Sequence, residues 1–389
     1  MFDSPHPSNN SDHYDYLFAG GGCAALSLAF YMNEAGLLQD KTALIIDPLE
    51  KNQNDRTWAF WTKEKTAFDE IVFRSWEYAR FIGGSFNEKI ALSPYAYQVI
   101  RGIDFYQFVL KKLRQNPNIH FLKDKVLELQ NDRVKTTQQT FKADWIFNSC
   151  FKEELISTAT NRKILFLKQH FKGWVIETPE NVFATDEVRL FDFRTPQNNL
   201  MRFMYILPFA PNKALVEYTL FSENLLAVEE YDFALQQYLS EVLKIRNYRI
   251  VEEEVGSIPM TTFPFEFQTS PNIFNIGTLG GCSKASTGYT FLNIQKQAQK
   301  IVHSLQKNKH PQFNPFTSKR HQLYDAMLLK IIRDKGHLSE KIFTDLFQKN
   351  PIERLFKFLE EESSLQEDLK LMNSVPAIPF IQSFFQLKF

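Results

Sequence analysis

The stretch Tyr14-Asp-Tyr-Leu-Phe-Ala-Gly-Gly-Gly-Cys-Ala-Ala-Leu-Ser-Leu-Ala-Phe-Tyr-Met32 decides the fold. Residues 16–19 form a short apolar strand that runs into three glycines. Ala, Leu and Phe then recur at three- and four-residue spacing, the period of a helix with a buried face. Further on, Thr42-Ala-Leu-Ile-Ile-Asp47 reads as a buried parallel strand ending in a carboxylate. Strand, helix and strand make one βαβ unit and place a Rossmann-like α/β domain at the N-terminus.

Outward from this unit, residues 51–96 are rich in Trp, Phe and Arg and read as irregular. Residues 104–113 predict a helix with an acidic start and a basic end, which suits the helix dipole. Residues 120–148 alternate as short strands. Within 164–221, the stretches beginning at Phe171, Met201 and Ala214 predict an antiparallel sheet, and so a second lobe. A strand and glycine turn at 273–281 leads into a helix over 291–306. The remainder is helical, with breaks around Pro351 and Pro376/Pro379. The fold class is α/β, α+β overall. A discontinuous dinucleotide-binding domain is expected from 14–50, 97–160 and 270–306. A substrate domain is expected from 51–96 and 161–269, with a helical C-terminal lid or docking region over 316–389.

Gly20, Gly22 and Ala25 fit the pattern G-x-G-x-x-A between strand and helix. The first glycine allows the tight turn, the second lets backbone approach a pyrophosphate, and the small third residue allows close helix–strand packing. The phosphates would then sit at the positive end of the helix dipole. Asp47, at the end of the second strand, is placed to take ribose hydroxyls. FAD is favoured over NAD, because the fingerprint opens the chain and a second strand–glycine–helix unit returns late, around Gly277.

The length of 389 residues suits two or three lobes. Lys+Arg and Asp+Glu balance at 45 each, which argues against nucleic-acid binding. Cys23, Cys150 and Cys282 are an odd number far apart, so neither a disulfide framework nor a zinc knuckle is expected; no metal is called for. Residues 1–13 are polar with no apolar core, which speaks against a secretory signal. No run approaches the ~18 apolar residues of a spanning helix. The expectation is a cytoplasmic protein, soluble or resting on a membrane surface. The 38 Phe point to a long apolar cavity or a membrane-facing surface, although AT-rich codon usage also enriches Phe.

Taken in order, further motifs resemble the FAD-dependent bacterial lycopene beta-cyclases nearly end to end. Asp15-Tyr-Leu-Phe-Ala-Gly-Gly-Gly is similar to the family's opening, and Asp55-Arg-Thr-Trp-Ala-Phe-Trp61 to its Arg-Thr-Trp-x-Phe-Trp segment. Tyr97-Gln-Val-Ile-Arg-Gly-Ile-Asp-Phe-Tyr106, Phe203-Met-Tyr-Ile-Leu-Pro and Leu215-Val-Glu-Tyr-Thr-Leu-Phe221 follow in order. Glu254-Val-Gly-Ser-Ile-Pro-Met precedes the most specific block, Ile276-Gly-Thr-Leu-Gly-Gly-Cys-Ser-Lys-Ala-Ser-Thr-Gly-Tyr-Thr-Phe291. The resemblance implies a redox-neutral isomerisation of lycopene or another acyclic carotene. An acid protonates a terminal double bond, the cation closes a ring, and a proton is lost. FAD is needed reduced but is not consumed, with NAD(P)H as external reductant.

Protonating an alkene needs a neutral acid in a dry pocket, and burial supplies one by disfavouring the ionised carboxylate. Glu217 lies in a strand apolar or aromatic on both faces. On residues alone, a strand-edge glutamate reaching water competes with that reading; the resemblance makes Glu217 the catalytic acid. Trp58, Phe60, Trp61, Tyr289 and Phe291 are candidates to line the cation's path, where aromatic faces add about 1–2 kcal/mol each when desolvated. Taken singly, each reads more readily as ordinary core. Gly280, Gly281, Ser286, Thr287 and Gly288 are expected around the flavin ring. Arg101 is read either as a phosphate contact or as a surface salt bridge. Gly277-Thr278 stands where redox flavoproteins of this general fold carry Gly-Asp, which weakens a reading as an NAD(P)H-dependent oxidoreductase on an isoprenoid or aromatic substrate. The C-terminal Phe and Lys residues suit either peripheral docking on the inner membrane face, with contact to other carotenoid enzymes, or a lid packed on the body.

Overall fold

The computed structural model describes residues 13–157, 164–313 and 318–388. The polar stretch at 1–12 lies outside them. The opening unit forms as the sequence predicts: strand His13–Ala19, helix Cys23–Glu34 and strand Ala43–Asp47. The two strands pair in parallel, Tyr16 against Ala43 through to Ala19 against Ile46. Thr140–Asn148 pairs in parallel on the other side of the first strand, and Ile273–Asn275 lies beyond it. Ile119–Lys123 extends the layer past Ala43–Asp47. Gln268–Ser270 closes one edge antiparallel.

A parallel layer must be covered by crossover helices, and its inner strand Ala43–Asp47 is accordingly buried along its whole length. Helices Cys23–Glu34, Gly102–Leu113 and Phe291–Asn308 supply that cover: Leu28, Phe105, Val109 and Ile301 share one core with Phe18 and Ile45. In-register pairing brings Ala19, Ile46, Asn148 and Asn275 to the same end of the layer. Both glycine turns therefore open on one edge, where ligands of such sheets bind.

The second sheet has the order Arg249–Thr261, Phe166–Glu177, Lys213–Ser222, Met201–Ala210, Glu187–Asp192, Tyr78–Gly83, Phe86–Ala91. It is antiparallel except where Glu187–Asp192 runs parallel to Tyr78–Gly83. Thr57–Thr62, Ala96–Arg101 and Arg74–Trp76 form a small third sheet. The expectation that 51–96 is irregular is thus corrected. The strands there are brief and carry Arg, Glu and Lys outward, as in the largely exposed Phe86–Ala91, so no period of two declares itself.

Helices Lys319–Asp334, Ser339–Lys349, Ile352–Leu359, Leu365–Met372 and Ala377–Lys388 follow. They pack on the second sheet: Phe347 stacks on Phe81 at 4.6 Å between ring centroids, and Phe343 meets Phe191 at 5.3 Å. Among the described residues, no helix is long and apolar enough to cross a membrane.

A buried ionic cluster ties these helices to the late glycine loop. Lys284 Nζ donates to Asp325 Oδ2 at 3.0 Å and Glu361 Oε1 at 2.9 Å, and Ser286 Oγ donates to Asp325 Oδ1 at 2.6 Å. Removing one member of such a cluster leaves an uncompensated buried charge. Lys284→Met should lower the unfolding free energy by about 3–5 kcal/mol in urea titrations. A loss below about 1 kcal/mol would show that the cluster is not what holds the helices to the loop.

Candidate active site

One cavity of about 1150 Å3 runs between the layers. Its wall begins at Gly20, Gly22 and Asp47, passes Trp58, Trp61, Glu217, Gly277, Thr287, Gly288, Tyr289 and Phe291, and ends on the last helix at Phe380, Phe384 and Phe385. Much of the remainder is apolar, with Leu190, Phe191, Phe203, Phe343, Phe347 and Phe356 prominent. That is one use of the Phe excess.

At the parallel end, Gly20 adopts φ +96°, and its N–H donates to Ile46 O at 2.9 Å. Such a φ suits only glycine, and a Cβ there would also run into the Ser149 hydroxyl. Gly22 differs: its φ is −81°, and nothing lies within 4 Å of where its Cβ would stand. The space beside Gly22 belongs to the cavity, at the N-terminus of helix Cys23–Glu34. Asp47 accepts from Gly21 N at 2.7 Å and Leu49 N at 2.8 Å, and pairs with Lys51 Nζ at 3.0 Å. A carboxylate offers roughly four lone-pair sites, so one stays open to a sugar hydroxyl. Also in the cavity wall, Gln169 Oε1 and Thr287 Oγ1 are buried without a hydrogen-bond partner. Buried polar atoms seldom stay unpaired, so these two suit a polar ligand. A dinucleotide with a polar ring system fits this chain of features.

Ala25, Arg101, Gly280, Gly281 and Phe60 are not brought to the cavity wall. Ala25 is buried in the helix–sheet packing, and Phe60 stacks behind Phe291 at 4.9 Å. Arg101 forms a two-pronged ion pair with Asp104, at 2.6 and 2.9 Å, and lies over the Phe73 ring. Of the two readings of Arg101, the salt bridge is the one present. Gly280 is packed against Asn275 O and Gln297, whose amide also accepts from Gly277 N at 2.8 Å. Gln297 thus pins the late turn. Gly277, at φ +66°, would place a Cβ 2.6 Å from that of Ala24, so the two glycine turns touch.

Glu217 projects from Lys213–Ser222 into the cavity and is 9% exposed. Thr219 Oγ1 donates to its Oε1 at 2.6 Å. Burial and the nearby Glu254 carboxyl push its pKa up to about 8, against the lesser pull of Thr219. Glu217 is therefore a neutral acid at physiological pH. Around it stands a phenol cluster: the Tyr97 hydroxyl lies 2.8 Å from that of Tyr205 and 3.4 Å from that of Tyr289. Burial pushes all three pKa values up, so they stay neutral. Trp61 meets Tyr289 edge-on at 4.2 Å and stacks on Phe356 at 4.6 Å. The arrangement can hold a proton ready beside a dry, electron-rich wall.

Sequence reasoning did not single out Glu254, Tyr205 or Gln169 for the site. Glu254 ends the run Glu252-Glu-Glu, which reads as a solvated face. Gly173, in the middle of a strand pattern, was the available signal of close approach at that point.

A family model described as lycopene cyclase protein matches residues 15–384. No curated protein gives a significant match. Among solved structures, a geranylgeranyl bacteriochlorophyll reductase-like protein from Thermoplasma acidophilum is 13% identical, with 96% of this chain and 99% of that chain covered at TM-score 0.58. A flavoprotein/dehydrogenase from Cytophaga hutchinsonii is 12% identical, covered at 96% and 97% with TM-score 0.58. The flavin-dependent brominase Bmp2 is 12% identical, covered at 97% and 99% with TM-score 0.57. At such identities these likenesses show the fold alone: a Rossmann-like layer joined to a second sheet.

Proposed function

Because this chain belongs to the lycopene cyclase protein family, we propose that it closes the acyclic ends of lycopene into β-rings, giving γ-carotene and then β-carotene, with reduced FAD as a cofactor that is not consumed. The observation that carries this reading is Glu217: a carboxyl kept neutral to about pH 8 in the wall of a largely apolar cavity. Protonating an alkene needs such an acid.

In this reading the Glu217 O–H bond breaks as a C–H bond forms at the terminal double bond. The cation closes a C–C bond, a ring proton leaves, and no net electrons move. The Trp58, Trp61, Tyr289 and Phe291 rings exclude water and face the positive charge. The Gly20–Gly22 turn and the helix behind it would take the cofactor's pyrophosphate, Asp47 a ribose, and Thr287 with Gln169 the ring end. A reduced flavin there would supply negative charge to the cation; NAD(P)H would serve as the external reductant.

The substrate is membrane-dissolved, and the last helix offers a route for it. Ile378, Ile381 and Phe385 are exposed at three- and four-residue spacing on Ala377–Lys388, and Ile381 and Phe385 also belong to the cavity wall. An apolar stripe beside a cavity mouth suits peripheral docking on a bilayer.

Expression in cells that accumulate lycopene should convert it to γ- or β-carotene. Persistence of lycopene alongside soluble, flavin-loaded protein would sink the reading. NAD(P)H consumed mole for mole with product would favour an oxidoreductase instead.

A further inference from the structure

A row of residues crosses four neighbouring strands of the second sheet. Tyr205 stands opposite Glu217, Glu217 opposite Gly173, and Gly173 opposite Glu254. Direct cross-strand partners project from the same face, so both carboxyls rise on the cavity side. Both belong to the cavity wall. Between them Gly173 has no side chain. A Cβ there would lie 2.8 Å from Leu215 Cδ1 and 3.4 Å from Glu217 Cβ and Cγ. Gly173 therefore sets no side chain of its own between the two carboxyls.

We propose that Glu254 is the positioning partner of Glu217: a carboxylate that holds the negative charge of the pair and so keeps the proton on Glu217. This inference rests on the cyclase reading above. It assigns a role to a group that acts through the acid rather than on the substrate.

The neighbours decide which carboxyl is charged. Facing Glu254 from the segment beside it are Thr57, Arg56 and Asp55. Burial raises the Glu254 pKa, as it does that of Glu217, but Thr57 N donates to Glu254 Oε1 at 2.9 Å and the Arg56 charge favours its ionised form, while Asp55 opposes it. Facing Glu217 are Thr219 on its own strand, Tyr205 on the next with Tyr97 and Tyr289 behind, and Glu254 across Gly173. A fixed N–H and a cation serve the carboxylate of Glu254. Glu217 has a hydroxyl, which can turn to accept as readily as donate. The Glu254 charge acts on Glu217, so the two carboxyls titrate as a coupled pair, and their first proton goes to the one less able to bear charge. The same repulsion acts after protonation of the alkene. The Glu217 carboxylate is then the stronger base for the proton that the ring carbon releases, as its C–H pair becomes the ring double bond. One proton leaves Glu217 and one returns.

The test compares the parent with Glu254→Gln and Glu254→Asp, flavin-loaded and reduced, on lycopene in liposomes across pH roughly 6 to 9. Activity needs protonated Glu217, so each profile falls as pH rises through that group's pKa. In Glu254→Gln the fall should move to lower pH by about one unit, an approximately tenfold loss on the alkaline side. Glu254→Asp, which keeps the charge, should restore the parental position. A profile lowered equally at every pH would mark Glu254 as merely structural and overturn the proposal. Infrared spectroscopy reads the pair without turnover: a protonated-carboxyl band at neutral pH, absent in Glu217→Gln, should titrate at lower pH in Glu254→Gln. An unmoved band overturns the inference even if lycopene proves not to be the substrate. An inactive parent whose band does shift would fault the cyclase reading alone.

Discussion

Replacing Glu217 by Gln should lower ring closure by about 10²–10⁴-fold, the span expected when a positioned general acid is lost. Gln has the shape of a neutral glutamic acid and can accept from Thr219 as Glu217 does. It cannot donate an acidic proton. Packing around a buried neutral side chain is therefore preserved, and the variant should express, fold and retain flavin like the parent. The carboxyl should also set the parent's pH dependence. Its pKa lies near 8 because burial disfavours the anion and Glu254 adds like-charge repulsion. Below that pH the acid is loaded; above it, activity should fall. Glu217→Gln should leave a residual rate without this alkaline fall. Pigment chromatography gives the first number, and reconstituted turnover against pH gives the second. A folded, flavin-loaded Glu217→Gln that makes β-carotene at the parental rate would falsify the assignment of the acid.

What could be read from the sequence follows the range of the forces involved. The βαβ unit was legible because its signals are local: a run of buried aliphatic residues, glycines where backbone must turn, and a helical period, all within 13–47. Glu217 was legible because an acidic residue stood in a strand otherwise apolar on both faces, and because the surrounding motif resembled a known one. Glu254 was not. Its partner is reached only through the register of three strands, and Gly173↔Glu217 and Gly173↔Glu254 are pairings set by tertiary folding. Tyr205 is hidden for the same reason. Arg101 could be read two ways because Asp104, three residues on, satisfies it locally. Phe60 illustrates the limit of a motif: strand alternation puts it on the same face as Trp58, yet it stacks behind Phe291 in the core, while Trp58 and, from the opposite face, Trp61 reach the cavity.

Three of the glycines in the two turns should separate folding from cofactor binding. Gly22→Val places a side chain where the apo protein has open space, at a φ of −81° that a β-branched residue adopts readily. The apo protein should therefore unfold within about 0.5 kcal/mol of the parent. In the proposed reading, the same side chain stands where a pyrophosphate would approach the backbone, at the helix N-terminus. Flavin affinity should fall at least about 100-fold, roughly 2.7 kcal/mol. Gly277→Val should do the opposite first. Its φ of +66° strains any Cβ, and the Cβ would sit 2.6 Å from that of Ala24, so stability drops before binding can be measured. Gly20→Val, at φ +96° and against Ser149, belongs with Gly277→Val. Urea unfolding of the apo proteins beside fluorescence titration with FAD distinguishes the classes. A stable Gly22→Val that binds flavin as tightly as the parent would show that the cofactor does not lie along this turn. Loss of both stability and binding would show that the space beside Gly22 serves packing instead.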